Sequence, residues 1–181
     1  MRVVFENEKH SHLLFIDSEW DGEQLIQFSG LLFNNLGNSI YELGGSFNLY
    51  IKNETVSKFF SAFTGITNQF LKEYGISYED VKHFWKDFTY NLDNLMIIGH
   101  EIAADKKILW KNGINIDNFD FYCTYHSAKR LYPELKKYSV KSLAELSSWF
   151  ITSEHDSYCD VWALVPIFSD LKEKENANRN N

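Results

Sequence analysis

Cysteine and long apolar runs are the scarcest features of this chain. Only two cysteines, Cys123 and Cys159, occur among the 181 residues, and their spacing fits neither a zinc site nor a CxxC redox pair. No stretch approaches the length of a transmembrane span, and the first twelve residues lack the apolar run of a signal peptide. We therefore expect a cytoplasmic protein with free thiols and no membrane partner.

Positive charge is also in short supply. The chain has 18 Lys and Arg against 25 Asp and Glu, a formal net charge of -7. This balance argues against tight, non-specific binding of long nucleic acid by charge alone. Seven basic residues that cluster loosely after position 105 either contact phosphates or form an ordinary solvated face. They are Lys106, Lys107, Lys129, Arg130, Lys136, Lys137 and Lys141.

The length is that of one domain with a sizeable core. We expect a single domain over residues 1–181, with its core at about 11–171 and a disordered polar tail at 172–181. Aromatic residues make up 17% of the chain. Most of these rings are expected in the core, although a few could stack on nucleobases.

The hydrophobic pattern predicts an α/β fold with a mixed five-stranded sheet and helices on both faces. The first three strands form an antiparallel meander, and two parallel strands follow. The predicted strands are Ser11–Glu19, Gln24–Asn34, Ser39–Ile51, Asn94–Gly99 and Phe119–Tyr125. The predicted helices are Thr55–Phe63, Thr67–Tyr74, Tyr78–Leu92, Glu101–Asn112, His126–Leu131, Ser139–Phe150 and Asp156–Leu171.

Four carboxylates occur where the pattern predicts core. Asp17 and Glu19 are two residues apart at the end of the first strand, so both side chains lie on one face of the sheet. Asp105 and Asp160 lie on the apolar stripes of their helices and point inward. Each alone has an ordinary explanation, a solvated strand end or a hydrogen bond to backbone. Together they could not all ionise without cations.

A pair of divalent metal ions explains such a set of oxygen ligands. Two hard cations about 4 Å apart would clamp a phosphodiester, and Asp17 could bridge both of them. His155 lies just before the last helix and suits a general base, because histidine ordinarily titrates near neutrality. The alternative is that His155 is a loop residue without a role, and the neighbouring Asp156 is expected to be solvated.

Taken together, these pieces resemble the DEDDh 3′–5′ exonucleases, the DnaQ-like group of the RNase H-like superfamily. The resemblance extends from about Leu13 to Phe168. Three motifs carry it, in the family's order and spacing: Asp17-Ser18-Glu19 with Gly22, His100-Glu101 with Asp105, and His155 with Asp160. Further likeness lies in the segment Phe63-Thr64-Gly65-Ile66-Thr67 and in the strand end Cys123-Thr124.

The resemblance implies a role for each matching residue. It implies two Mg²⁺ or Mn²⁺ ions held by the four carboxylates Asp17, Glu19, Asp105 and Asp160, with His155 as general base. It further implies substrate contacts from Ser18, Trp20, Phe63, Thr64 and His100, with ordinary packing as the alternative for Trp20 and Phe63. Three departures from the family pattern concern the second motif and the grip on the terminal nucleotide: Trp20 for a small hydroxyl residue, Glu101 for Asn and Ala104 for Phe.

The expected function is hydrolysis of phosphodiester bonds at the 3′ ends of single-stranded nucleic acid, with release of nucleoside 5′-monophosphates. DNA is the favoured substrate, and an RNA-trimming exoribonuclease is the alternative within the same class, because the sequence does not decide how the 2′-hydroxyl is treated. A non-catalytic module that binds nucleic acid or protein is the alternative outside it. The net negative charge also suggests a partner protein that contributes binding of the nucleic acid, either a polymerase or another nucleic-acid-processing protein.

Overall fold

The computed structural model describes residues 1–52, 55–149 and 155–179. The strands are β1 (Arg2–Val4), β2 (His12–Asp21), β3 (Gln24–Asn35), β4 (Ile40–Tyr50), β5 (Leu95–Gly99) and β6 (Asp120–Cys123). The helices are α1 (Lys58–Thr64), α2 (Asn68–Tyr74), α3 (Tyr78–Thr89), α4 (Ile102–Lys111), α5 (Thr124–Leu131), α6 (Val140–Leu146) and α7 (Ser157–Arg179). Phe150, where the sixth predicted helix ends, lies outside the described residues.

One mixed sheet organises the fold, with the strand order β1-β4-β3-β2-β5-β6. The pairs β1–β4, β4–β3 and β3–β2 are antiparallel, whereas β2–β5 and β5–β6 are parallel. The predicted meander followed by two parallel strands is therefore confirmed. The predicted count of five strands is wrong, because Arg2–Val4 adds a sixth strand at the edge of β4. Three residues are too few to produce a recognisable alternation in sequence.

Alternate residues of β2 are buried on opposite faces of the sheet, against different helices. Leu13 and Phe15 face one apolar cluster, which α5, α6 and α7 complete. Leu14 and Ile16 face a second cluster on the other side of the sheet, which α3 and α4 complete. Burial on both sides explains why β2 has a continuous apolar run. It also means that the residues that follow in β2 alternate between the α7 side and the α4 side.

The last described residues of the chain, within the predicted tail 172–181, contact the N-terminal segment. Helix α7 continues past Leu171 to Arg179. Lys172 Nζ lies 3.0 Å from the buried carboxylate of Glu8, and the Asn176 amide donates a hydrogen bond to the Glu6 carbonyl. Burial alone would raise the pKa of Glu8, but hydrogen bonds from His10 and Lys172 outweigh it and lower that pKa to about 2. Such long-range pairing gives no periodic signal within residues 172–179.

Truncation after Leu171 is therefore expected to destabilise the protein. The Glu8 carboxylate would lose its lysine partner and keep His10 and two backbone N–H groups, and loss of one hydrogen bond to a charged group costs about 1.5–3 kcal/mol. Urea unfolding followed by circular dichroism measures the change, with truncation after Arg179 as the matched control. Equal free energies of unfolding for the two truncations would show that residues 172–179 contribute nothing to stability.

Candidate active site

Three of the four predicted ligands come together at the end of β2. One carboxylate oxygen from each of Asp17, Glu19 and Asp160 lies within 4.8 Å of the other two. Asp17 and Glu19 are on the α7 side of the sheet, in register with Ser29 and Gln27 of β3. Asp160 lies in the first turn of α7, which packs on that side. The side chains of alternate strand residues and of an inward-facing helix residue thus meet, as the sequence predicts.

Asp105 reaches the same place from the opposite side of the sheet. It lies in the first turn of α4 and is only 2% exposed. The hydroxyl of Ser18, on the α4 side of β2, donates a 2.6 Å hydrogen bond to Asp105 Oδ1. Ser18 was predicted to contact substrate, and in the structure its side chain instead holds this carboxylate. Asp105 therefore has one oxygen engaged and does not belong to the 4.8 Å group.

A small acidic cleft of about 190 Å³ lies between α4 and α7 at this edge of the sheet. It contains all four predicted carboxylates. The lining residues are Asp17, Ser18, Glu19, Trp20, His100, Glu101, Ala104, Asp105 and Asp160. All three residues that depart from the family pattern, Trp20, Glu101 and Ala104, line the acidic cleft.

Three carboxylates in the acidic cleft, those of Asp17, Glu19 and Asp105, resist ionisation when no cation is bound. Burial, followed by the charges of Asp105, Asp160 and Glu19, raises the pKa of Asp17 well above its usual value. Burial and the neighbouring acids raise the pKa of Glu19 to about 8. Burial raises the pKa of Asp105 to about 7, although the hydrogen bond from Ser18 opposes the shift. Like charges in a partly desolvated cleft cannot all form at neutral pH without compensation.

This donor set fits hard divalent cations. The ligands are carboxylate oxygens from three separate elements, and a cation would remove both the desolvation cost and the mutual repulsion that raise their pKa values. No cysteine lines the acidic cleft, so a soft thiolate site is excluded there. The residues present would hold a hard divalent cation.

His155 lies beside the acidic cleft, and an aromatic ring contacts it. Its imidazole stacks on Phe63 with ring centroids 3.6 Å apart, and Phe63 in turn stacks on Phe59. His155 lines a neighbouring groove together with Asp160, but it is not among the residues that line the acidic cleft itself. Phe63 is 50% exposed, so its ring is accessible for the predicted contact with substrate.

The remaining predicted substrate contacts have different surroundings. Trp20 lines the acidic cleft and is partly exposed. The Thr64 hydroxyl instead donates to the Phe60 carbonyl and accepts from the Ile66 N–H, so it stabilises the C-terminal turn of α1. His100 lies 3.0 Å from the Thr124 hydroxyl, and burial lowers its pKa to about 4, which keeps the ring neutral.

A larger groove of about 1000 Å³ opens next to the acidic cleft and shares His100, Glu101 and Asp160 with it. Three lysines of the predicted basic set line this lysine groove, namely Lys136, Lys137 and Lys141. Two of the other four basic residues form ion pairs elsewhere: Lys106 pairs with Asp117, and Arg130 pairs with Glu175. The overall negative charge therefore coexists with a local basic rim.

The prediction that Asp156 is simply solvated is wrong. Its carboxylate accepts hydrogen bonds from the Gln27 amide and from the backbone N–H of Tyr158, both near 3 Å. Gln27 and its neighbour Ser29 are fully buried polar residues in β3. Their spacing of two within a buried, mostly apolar strand is the sequence signal that could have identified them.

The comparisons with known proteins found one curated relative by sequence and several solved structures by fold. No protein-family model matches the chain. A curated relative, the DNA polymerase III subunit epsilon of Aquifex aeolicus (strain VF5), is 26% identical over 115 residues, which cover 61% of this chain and 55% of the relative. The chain thus spans about half the length of that relative.

Two solved structures show the same fold. Exonuclease I of E. coli, in complex with a dA16 oligonucleotide, superposes with a TM-score of 0.72 at 18% identity, over 93% of this chain and 42% of that one. The nuclease domain of 3′hExo, a DEDDh family member bound to rAMP, gives 0.71 at 14% identity, over 92% and 93%. The predicted resemblance to the DnaQ-like exonucleases and the predicted α/β fold are therefore confirmed.

No described helix is both long and apolar enough to cross a membrane.

Proposed function

We propose that this protein is a 3′–5′ exonuclease that hydrolyses the terminal phosphodiester bond of single-stranded nucleic acid and releases nucleoside 5′-monophosphates. The observation that carries the proposal is the convergence of Asp17, Glu19 and Asp160 within 4.8 Å, beside the buried Asp105. The likeness to nucleases in sequence and fold supports it. We place the reaction in the cytoplasm.

Each site residue has one task in this proposal. Asp17, Glu19, Asp105 and Asp160 would hold two Mg²⁺ or Mn²⁺ ions, which would supply Lewis-acid polarisation of the phosphate and a water of lowered pKa. His155 accepts a proton from the attacking water as that water bonds to phosphorus. The bond from phosphorus to the 3′ oxygen of the preceding nucleotide breaks, and that oxygen takes a proton from solvent to become the new 3′-hydroxyl. Ser18 fixes the orientation of Asp105 through its 2.6 Å hydrogen bond.

The strand would approach along the lysine groove. Lys136 and Lys137 have no ion-pair partner among the residues that the structure describes, so their charges remain available for phosphates. Trp20 lines the acidic cleft and Phe63 stacks on His155, and both present exposed rings on which the last bases can stack. We assign Ser18, Thr64 and His100 to support of this binding region, through the contacts described above.

DNA is our preferred substrate, and RNA is the second candidate. Exonuclease I was solved with a DNA oligonucleotide and 3′hExo with a ribonucleotide, so relatives of this fold accommodate both chemistries. We also propose a polymerase or another nucleic-acid-processing protein as partner. That proposal rests on the polymerase subunit among the relatives and on the net charge of -7.

The protein is expected to shorten single-stranded oligonucleotides from the 3′ end only when Mg²⁺ or Mn²⁺ is present. Gel electrophoresis of 5′-labelled single-stranded DNA, duplex DNA and RNA of one sequence measures this, and the ratio of the rates identifies the preferred sugar. A 3′-phosphate should slow the reaction, because the terminal hydroxyl end is what enters the acidic cleft.

Two controls decide the class of enzyme. Excess EDTA should abolish cleavage, and a closed circular single strand should stay intact. Cleavage that persists with EDTA, or cuts within the circle, would rule out a metal-dependent exonuclease.

A further inference from the structure

A row of neutral polar side chains crosses the sheet beside the acids. In the strand register, Ser29 of β3 is opposite Asp17 of β2, and Gln27 is opposite Glu19. On the next strand, Asn48 of β4 is opposite Ser29. Residues directly opposite each other project to the same face of a sheet. Gln27, Ser29 and Asn48 therefore lie on the α7 side, in line with the two acids.

Gln27 contacts the N-terminus of α7 with both ends of its amide. Its Nε2 donates a 2.9 Å hydrogen bond to Asp156 Oδ1, and its Oε1 accepts a 3.3 Å hydrogen bond from the backbone N–H of Ser157. The same Nε2 also donates to Asn48 Oδ1 at 2.9 Å. The amide of one buried strand residue thus defines where the first turn of the helix begins.

A second contact between β3 and the start of α7 is formed by two hydroxyl groups. The Ser29 and Ser157 hydroxyls lie 2.6 Å apart, and Ser29 also donates to Asn48 Oδ1 at 3.0 Å. Gln27, Ser29 and Ser157 are all fully buried. A buried donor or acceptor that loses its partner pays its full desolvation cost. Alternative positions of the α7 N-terminus are therefore disfavoured.

Asp160 is one helical turn beyond this anchor. The Asp160 N–H donates to the carbonyl of Asp156, at 3.0 Å, and the Asp156 carboxylate accepts from the N–H of Tyr158. A displacement of Asp156 would therefore displace Asp160. The cation site tolerates little displacement, because its carboxylate oxygens lie within 4.8 Å of one another and ligand distances are fixed to a few tenths of an ångström.

We infer that Gln27 is a positioning residue, which sets α7 in register with β2 so that the carboxylate of Asp160 meets those of Asp17 and Glu19. The effect of Gln27 on catalysis rests on the proposed function, whereas its effect on cation affinity does not. A neutral amide suits the task because it satisfies a carboxylate and an N–H together. A lysine or arginine there would add a positive charge beside the acids and compete with the cations.

The test compares Gln27→Leu with Asn34→Ala. Asn34 is also in β3 and its side chain bonds His12 at 2.9 Å, at the opposite end of the strand, so its loss controls for general destabilisation. Titration calorimetry with Mn²⁺, without nucleic acid, is expected to show an affinity about 10-fold or more weaker for Gln27→Leu, the usual effect of an outer partner of a metal site. Hydrogen exchange of the Ser157 and Tyr158 amides should accelerate in this variant alone.

A milder variant keeps the inference testable if Gln27→Leu folds poorly. Gln27→Asn keeps a neutral amide but is one methylene too short to hold both Asp156 and the Ser157 N–H, so it should weaken Mn²⁺ binding in the same direction. Turnover number should follow affinity across the set, with little change in KM. Wild-type Mn²⁺ affinity in both Gln27→Leu and Gln27→Asn, or equal losses in Asn34→Ala, would each overturn the inference.

An inactive wild-type protein that still binds Mn²⁺ would refute the proposed nuclease function alone. The affinity comparison between Gln27→Leu and Asn34→Ala would still decide the role of Gln27.

Discussion

Asp17→Asn is expected to reduce the rate of 3′-end cleavage by roughly 10²- to 10³-fold or more, the range seen when one preorganised electrostatic group is lost. The substitution keeps the size of the side chain but removes one charge from the group formed with Glu19 and Asp160. Asp105→Asn should have a comparable effect, and its amide oxygen can still accept the hydrogen bond from Ser18. Single-turnover cleavage at saturating Mg²⁺ measures both.

Without metal, the same substitution is expected to leave stability unchanged or to increase it. Folding raises the pKa of Asp17 and raises that of Glu19 to about 8, so the folded state binds more protons than the unfolded chain. Stability should therefore fall as pH rises from the unfolded value near 4.5 through the folded value. Asp17→Asn removes one source of this repulsion, so its metal-free melting temperature at pH 8 should equal or exceed that of wild type.

Thermal melting at pH 5.5 and pH 8, with EDTA or with Mg²⁺, separates the two effects. Wild type should melt lower at pH 8 in EDTA and recover with Mg²⁺, whereas Asp17→Asn should recover less. Asp93→Asn changes an exposed acid away from the acidic cleft and is the matched control. A large loss of metal-free stability in Asp17→Asn would mean that the carboxylate is a structural partner and not a cation ligand.

His155→Ala is expected to lower turnover by roughly 10²- to 10⁴-fold, the usual contribution of a general base. The binding of Mn²⁺ should be retained, because the acidic cleft is lined by carboxylates and not by His155. The imidazole of His155 stacks on Phe63 with ring centroids 3.6 Å apart, so Phe63 affects only the position of the proposed base. Phe63→Leu should therefore alter turnover less than His155→Ala does.

Tyr158 is the alternative proton acceptor, and a comparison of variants decides between the two. Its hydroxyl lies 3.4 Å from the Ser46 hydroxyl and its ring packs against the α7-side core, an arrangement that favours a packing role. Tyr158→Phe should keep near-normal turnover. If Tyr158→Phe were the inactive variant and His155→Ala remained active, the general base would be Tyr158 and not His155.

The sequence predicted the fold and the acids through local periodicity. Asp17 and Glu19 could be placed on one face because strands have a period of two, and Asp105 and Asp160 because apolar stripes show which way helix residues point. The prediction that they meet followed from the packing of this strand and these two helices against one another.

Features that depend on contacts between distant segments could not be predicted in this way. Strand β1 is held by its pairing with β4, and the last turns of α7 by Glu8 and Glu6. The role of Ser18 in holding Asp105 depends on an approach between residues 87 positions apart. The role of a buried polar residue such as Gln27 can be assigned only when the helix that packs on it, here α7, is known.

The most direct test of the cation site is anomalous diffraction from crystals soaked in Mn²⁺ and a nucleoside 5′-monophosphate. We expect two manganese peaks about 4 Å apart, ligated by Asp17, Glu19, Asp105 and Asp160, with the phosphate against them. An acidic cleft without manganese at saturating Mn²⁺, or manganese bound only elsewhere, would contradict the central claim that these carboxylates form a two-metal nuclease site.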